Sequence, residues 1–186
     1  RRVSSDLHLK FGGIKMISAK MEKLLNEQIN HELYSAYLYL SMSSYLEAEG
    51  LKGFSNWFYV QYKEETDHAM FFYKYLHNVG GKVQLDAIPM PDSDFTSAMD
   101  ILERTLAHEK KVTALINNLA AVANSESDFR TSQFLLWFIS EQAEEETNCE
   151  DNIKRVKLAG EGGLFFVDQE FANRTYAAPT NPPVTI

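Results

Sequence analysis

The sequence predicts an all-α protein, a four-helix bundle with one long crossover and a short fifth helix near its C-terminal end. Three observations carry that prediction. Four long stretches repeat apolar residues at spacings of three and four, the period of an amphipathic helix. The first two stretches are separated only by Gly50, a break so short that they must form an antiparallel hairpin. The second and third are separated by Lys82–Phe95, which holds Pro89 and Pro91 and reads as no helix. A connection of that length can cross the bundle and lets the third helix run parallel to the second.

The first predicted helix spans Ser18–Glu49, with Ser18 as N-cap and Gly50 as its stop. Its buried stripe reads Leu25, Ile29, Glu32, Ala36, Tyr39, Ser43, Leu46. The second runs from Leu51 to Val79 and is stopped by Gly80 and Gly81. Its stripe is Leu51, Phe54, Phe58, Tyr62, Glu65, His68, Phe72, Leu76, Val79. The third spans Ser97–Asn124, with Ser97 as cap and Asp100 suited to the positive end of the helix dipole. Its stripe is Ala98, Leu102, Leu106, Glu109, Val112, Ile116, Leu119, Ala123. After the polar turn at Asn124–Asp128, the fourth spans Phe129–Ala159, with stripe Phe134, Phe138, Glu141/Gln142, Glu145, Cys149, Ile153, Val156. Gly160, Gly162 and Gly163 are expected to end it, and Leu164–Asn173 to form the fifth helix. Residues 1–15 are expected to be an extension outside the fold, 16–174 the single domain, and 175–186, with three prolines, a disordered tail.

Composition narrows the function. A net charge of −8 argues against nucleic acid or an anionic membrane as partner. The single cysteine, Cys149, excludes an intramolecular disulfide and a Cys-x-x-Cys metal module. No apolar run reaches the roughly 18 residues of a membrane span, and no signal peptide is visible. A cytoplasmic location is expected.

The chemistry lies in the polar residues that interrupt the apolar stripes. Glu65 and His68 stand three apart, on one helical face and about 4.5 Å apart along the axis. A carboxylate buried there without a partner costs several kcal/mol. The other interruptions are Glu32, Glu109, and Gln142 with Glu145, each within a turn of its own helix's midpoint. In a bundle of equal helices the midpoints lie level, so these residues meet in one layer. Carboxylates crowded in an apolar core must be protonated or surround cations. Carboxylate oxygens with one imidazole and no thiolate suit iron, manganese or a mixed pair, and bridging carboxylates hold two metals roughly 3.5–4 Å apart. Only one Glu-x-x-His is present. The fourth helix offers Gln142-x-x-Glu145, so one metal position has no histidine and is expected to be the weaker and more exchangeable.

At this point the chain resembles the ferritins, most closely bacterial non-haem ferritin, over about Met16–Arg174. The resemblance rests on Asn26–Ser35 (NEQINHELYS), Glu64–His68 (EETDH), Glu109, and Ser140–Glu146 (SEQAEEE) with Trp137. It implies a ferritin-like four-helix bundle. It implies a first iron on Glu32, Glu65 and His68, with Glu65 bridging, and a second on Glu65, Glu109 and Glu145, with Gln142 lining the site. It further implies a third iron on Glu64, Glu141, Glu144 and Glu145, and Tyr39 as a redox-active tyrosine. The implied activity is ferroxidase: Fe(II) oxidised with oxygen or hydrogen peroxide and stored as ferric mineral inside a shell of 24 chains. Haem is not expected, because Thr66 and Gln142-x-x-Glu145 stand where bacterioferritin carries its haem methionine and second Glu-x-x-His.

Plainer readings stand beside these. Glu64, Asp67, Glu144 and Glu146 also fit a solvated helix face. His8, His31, His77 and His108 read as surface or packing residues, and Cys149 as a small buried hydrophobe. A di-iron oxidase or peroxidase without storage, or a metal-free scaffold with protonated carboxylates, would share the pattern. Tyr34, Tyr37, Tyr59, Phe71 and Tyr75 lie off the core stripe and are expected to form a subunit interface in a homo-oligomer.

Overall fold

The computed structural model describes residues 16–185, so residues 1–15, the expected N-terminal extension, lie outside the described residues. Its helices are α1 (Ala19–Ala48), α2 (Lys52–Asn78), α3 (Ala98–Ser125) and α4 (Phe129–Phe171), the last bent into two arms at Gly160. No strand occurs among the described residues.

The starts are local and follow the sequence. Ser18 accepts from the Met21 amide at 3.0 Å, Ser97 from Asp100 at 3.1 Å, and Asp128 from Thr131 at 3.0 Å. Each satisfies one of the amides that a helix leaves without a partner in its first turn. α2 is the exception: its N-cap position is Leu51, which has no side-chain acceptor. The acceptor comes from the far end of the chain. Asp168 Oδ1 accepts from Gly53 N at 2.8 Å and Phe54 N at 3.0 Å. A Cβ at Gly53 would come within 1.6 Å of the Asp168 carbonyl oxygen. Glycine there is what lets the second arm of α4 seat on the start of α2.

α1 and α2 form the expected antiparallel hairpin around Gly50, whose φ of 79° suits glycine. The crossover then climbs along α1. Asn26 donates to Lys82 O at 2.9 Å and accepts from Gln84 N at 2.7 Å, Asn30 donates to Ala87 O at 3.3 Å, and Ser41 donates to Asp92 O at 2.7 Å. Phe95 then packs edge-on against Tyr45, centroids 5.7 Å apart. α3 therefore starts at the end where α2 starts and runs parallel to it.

Of the three glycines expected to end the fourth helix, only Gly160 leaves helical angles (φ 63°, ψ −177°). Gly162 and Gly163 stay inside the second arm. The arm buries Val167 and Phe171, and Phe171 packs 4.6 Å from Phe54 and 4.7 Å from Trp57. Beyond it, 175–185 carries no helix or strand but makes specific contacts: Tyr176 donates to Asp67 at 2.6 Å, and Val184 packs on the core.

The core is two apolar clusters. One, around Met21, Leu25, Phe72, Ile116, Leu119 and Phe134, fills the end where α1 and α4 begin. The other, around Met42, Leu46, Phe54, Phe58, Leu102 and Val167, fills the opposite end. Phe71 and Tyr75, expected at a subunit interface, belong to the first cluster and are 1% and 5% exposed. Tyr75 stacks on Phe134 at 3.9 Å and shares a 2.8 Å hydrogen bond with Thr131, while Phe71 packs edge-on against Trp137. α2 is covered by α4 as well as by α1, so its buried face is wider than one stripe. Tyr37 and Tyr59 are exposed as expected, and Tyr34 is half-buried.

Candidate metal centre

Between the two apolar clusters lies a polar layer. Glu32, Glu65, His68, Glu109, Gln142 and Glu145 are each 5% exposed or less. Every helix contributes, because each interrupting residue sits on the buried stripe of its own helix.

Glu32, Glu65 and His68 converge most tightly. Each offers a ligand atom, and these atoms lie within 4.8 Å of one another, the one such group of three among the described residues. His68 Nδ1 is 3.4 Å from Glu65 Oε2. Its ring is walled by Trp137 at 5.4 Å and Phe138 at 5.9 Å, both edge-on, which restricts its rotation. Glu32 Oε1 accepts from Gln28 at 2.8 Å, while its Oε2 meets no donor. Glu32 and Glu65 can share a hydrogen bond when one of them holds a proton; with both ionised, the buried oxygen needs a cation.

Glu109 and Glu145 are held differently. Tyr39 Oη donates to Glu109 Oε1, and Gln142 Nε2 donates to Glu109 Oε2 at 3.0 Å. Glu145 Oε2 accepts from Gln61 Nε2 at 3.0 Å, while Gln61 Oε1 has no partner. Neither glutamate joins the converged group.

Burial governs the titration of all four glutamates. It pushes Glu32 well above the usual carboxylate range, with the Glu65 charge adding to it. It does the same to Glu65, where Glu109 and Glu145 add further repulsion. Glu145 is pushed up to about 8 by burial and by Glu109. Glu109 is also raised by burial, against the lowering pull of its Tyr39 and Gln142 hydrogen bonds. Without cations the layer favours protonated carboxyls; with them the same oxygens are ligands. The donor set, carboxylates and one imidazole with no thiolate, fits iron. Cys149 is buried nearby, and its thiol is pushed up by burial and by Glu109 and Glu145. That makes it a poor nucleophile and ligand.

The residues expected at a third iron position are less united. Glu141 Oε1 lies 3.9 Å from His68 Nε2, Glu144 is exposed, and Glu64 is paired with Arg174. Sequence reasoning passed over Gln28 and Gln61, yet each stands four residues before a stripe glutamate, Glu32 and Glu65. An amide one turn from a buried carboxylate, on the same face, is a readable signal. Arg174 gave none. Of the histidines set aside, His108 is a packing residue: it shares a 2.8 Å hydrogen bond with Ser35 and meets Tyr39 edge-on, and burial lowers it to about 4.

The model of the Ferritin-like domain family matches residues 22–159. The chain is 37% identical over 159 residues to a bacterial non-heme ferritin of Bacteroides fragilis, covering 86% of this chain and 100% of that one. It is 39% identical over 160 residues to the bacterial non-heme ferritin of Campylobacter jejuni, covering 85% and 96%. Among solved structures, an open pore ferritin from the archaeon Archaeoglobus fulgidus superposes with a TM-score of 0.84 at 45% identity, covering 86% of this chain and 99% of that one. A closed form engineered from that ferritin gives 0.85 at 44%, covering 87% and 99%.

Proposed function

This chain belongs to the ferritin family, and from that premise we propose that its polar layer oxidises Fe(II) to Fe(III) and that the ferric product is stored as mineral in a shell of identical chains. The observation that carries the proposal is the convergence of three buried residues, Glu32, Glu65 and His68, whose ligand atoms lie within 4.8 Å of one another. One Fe(II) is taken by these three residues. A second is taken by Glu65, Glu109 and Glu145, with Glu65 serving both. Glu65 is the residue suited to that double duty, because it feels the charges of Glu109 and Glu145 while lying within the Glu32 and His68 group.

The reaction takes one electron from each Fe(II). Two Fe(II) and two protons reduce oxygen to hydrogen peroxide, or reduce peroxide to water. The carboxylates stabilise Fe(III) more than Fe(II) because their negative charge acts in a dry, low-dielectric layer. Gln61 and Gln142 orient the carboxylates of the second position. Tyr39, hydrogen-bonded to Glu109, can give an electron to oxygen and its hydroxyl proton to that carboxylate when the bound iron supplies too few electrons. The second position has amides where the first has an imidazole, and it is the exchangeable one from which Fe(III) leaves for the mineral.

A shell of 24 chains is part of the proposal. Exposed Tyr37 and Tyr59 on α1 and α2 suit a contact between chains. Size-exclusion chromatography combined with aerobic Fe(II) addition tests the whole reading. The expected result is a large assembly, a rapid ferric absorbance rise, and iron co-eluting with protein. Glu65→Ala should abolish the rapid rise while leaving assembly intact. An unchanged rate in that variant overturns the reaction, and a dimer without co-eluting iron would favour an oxidase without storage.

A further inference from the structure

One cation at the edge of the layer belongs to the chain itself. Arg174 follows the second arm of α4, and its Nη2 donates to Glu64 Oε2 at 2.6 Å. Its Nη1 donates to the Trp57 carbonyl at 3.3 Å, and the guanidinium lies 4.0 Å from the centroid of the Trp57 ring. The Arg174 carbonyl accepts from Asn56 at 2.8 Å. A guanidinium stacked on indole and hydrogen-bonded through both terminal nitrogens is a fixed group, not a waving surface charge. Two residues on, Tyr176 donates to Asp67 at 2.6 Å, fastening the chain to the same stretch of α2.

The partner of that guanidinium is Glu64, the neighbour of Glu65. Burial raises Glu64, while Arg174 and His68 pull it down and Glu141 pushes it up. Glu64 thus lies within electrostatic reach of both His68 and Glu141. The Arg174 charge also reaches Glu145. Yet Glu64, Glu141 and Glu144 do not bring ligand atoms together as Glu32, Glu65 and His68 do among the described residues.

We propose that Arg174 sets the number of irons the centre accepts: held against Glu64, it fills the cation place that Glu64, Glu141 and Glu144 would otherwise offer to a third iron. The inference rests on the reading of the layer as an iron-oxidising centre and goes beyond it. An iron that takes Glu64 Oε2 displaces the guanidinium from it, and one near Oε1 meets the same positive charge. No guanidinium is hydrogen-bonded to Glu32, Glu65, Glu109 or Glu145 among the described residues.

Calorimetric titration of the whole assembly, with Fe(II) under anaerobic conditions and with Zn(II) as a redox-inert ion, reads the count directly. Wild type should bind two ions per chain in the tight phase. Arg174→Gln should gain a third, bound at least about tenfold tighter than in wild type, the size of one charge-assisted hydrogen bond no longer competing for Glu64. Arg174→Lys keeps a charge and should stay at two. Tyr176→Phe loosens the following segment without touching the guanidinium and should also stay at two. Adding Glu64→Gln to Arg174→Gln should return the count to two. Three equally tight ions in wild type, no gain in Arg174→Gln, or the same gain in Tyr176→Phe would each overturn the proposal. If Arg174→Gln binds two ions and oxidises iron normally, the centre stands and this inference alone fails. If no variant binds any ion, the reading of the centre fails with it. A melting scan of metal-free Arg174→Gln, compared with Tyr176→Phe, separates loss of fold from loss of the charge.

Discussion

On one side of Glu65 stand Glu32 and His68, with ligand atoms within 4.8 Å and one Glu32 oxygen without a donor. On the other stand Glu109 and Glu145, whose inward oxygens are already taken by Tyr39, Gln142 and Gln61. Both halves are equally buried, carry the same carboxylate chemistry and draw on the same kind of apolar stripe. The difference lies in the company each carboxylate keeps. The first half brings three ligand atoms together with one carboxylate oxygen left open. The second has neutral donors that orient its carboxylates and share their charge, although burial still raises both. The difference teaches that burial alone does not define a site; what matters is whether a carboxylate's oxygens converge with an imidazole or are held apart by neutral donors.

The largest effect should come from removing residues of one half at a time. His68→Ala should weaken the first ion bound by about a hundredfold or more, beyond the 10–100-fold that loss of a mere supporting hydrogen bond produces. Glu145→Ala should leave that ion almost untouched and remove the second. Anaerobic metal titration separates the two, and equal losses in both variants would erase the distinction between the halves.

The next effect is on stability and pH. In the metal-free protein burial and the Glu109 charge push Glu145 from the usual carboxylate range, about 4.5, up to about 8. The folded chain therefore keeps a proton that the unfolded chain has lost, and stability falls as pH rises from about 4.5 to about 8. Bound cations replace that proton. The gain in melting temperature on adding Zn(II) should be larger at pH 8 than at pH 5, by roughly 2–4 °C for each kcal/mol regained. A gain that does not change with pH would mean that Glu145 titrates in the usual carboxylate range.

Smaller again is the effect of the amides. Gln61→Leu and Gln142→Leu remove hydrogen bonds made only in the second half. Each should weaken the second ion by about tenfold and leave the first unchanged. Ions lost evenly from both positions would show that the amides hold the whole layer and not one half.

Much of this contrast was legible in the sequence, and the limits are physical. The stripe residues Glu32, Glu65, Glu109 and Glu145 could be placed level because helix length and period fix height. The missing second histidine is why the second position is expected to be the weaker. What could not be read were contacts that depend on rotamers or on distant chain. Asp168 caps α2 and Arg174 pairs with Glu64 across more than a hundred residues, and no local period encodes either. Phe71 and Tyr75 looked like interface residues because a helix covered by two neighbours buries more than one stripe. Gly162 and Gly163 looked like helix stops, but glycine permits a break without requiring one.

The smallest effect expected in the centre belongs to Tyr39→Phe, and it sharpens the comparison most finely. The phenol is fully buried between Phe58 and His108, and its hydroxyl serves one carboxylate, Glu109. Losing the hydroxyl keeps the ring and its packing, so what remains is the worth of one hydrogen bond to a buried acid, about 1–2 kcal/mol. That loss should appear in chemical denaturation of the metal-free protein. It should shrink once the second position is filled, because a bound cation then balances Glu109 in the hydroxyl's place. Affinity for the first ion should stay within about a factor of three, since Tyr39 touches neither Glu32 nor His68. A loss of stability that persists unchanged with metal bound would place the value of Tyr39 in the apolar packing around it, and would separate it from the half of the layer that Glu109 serves.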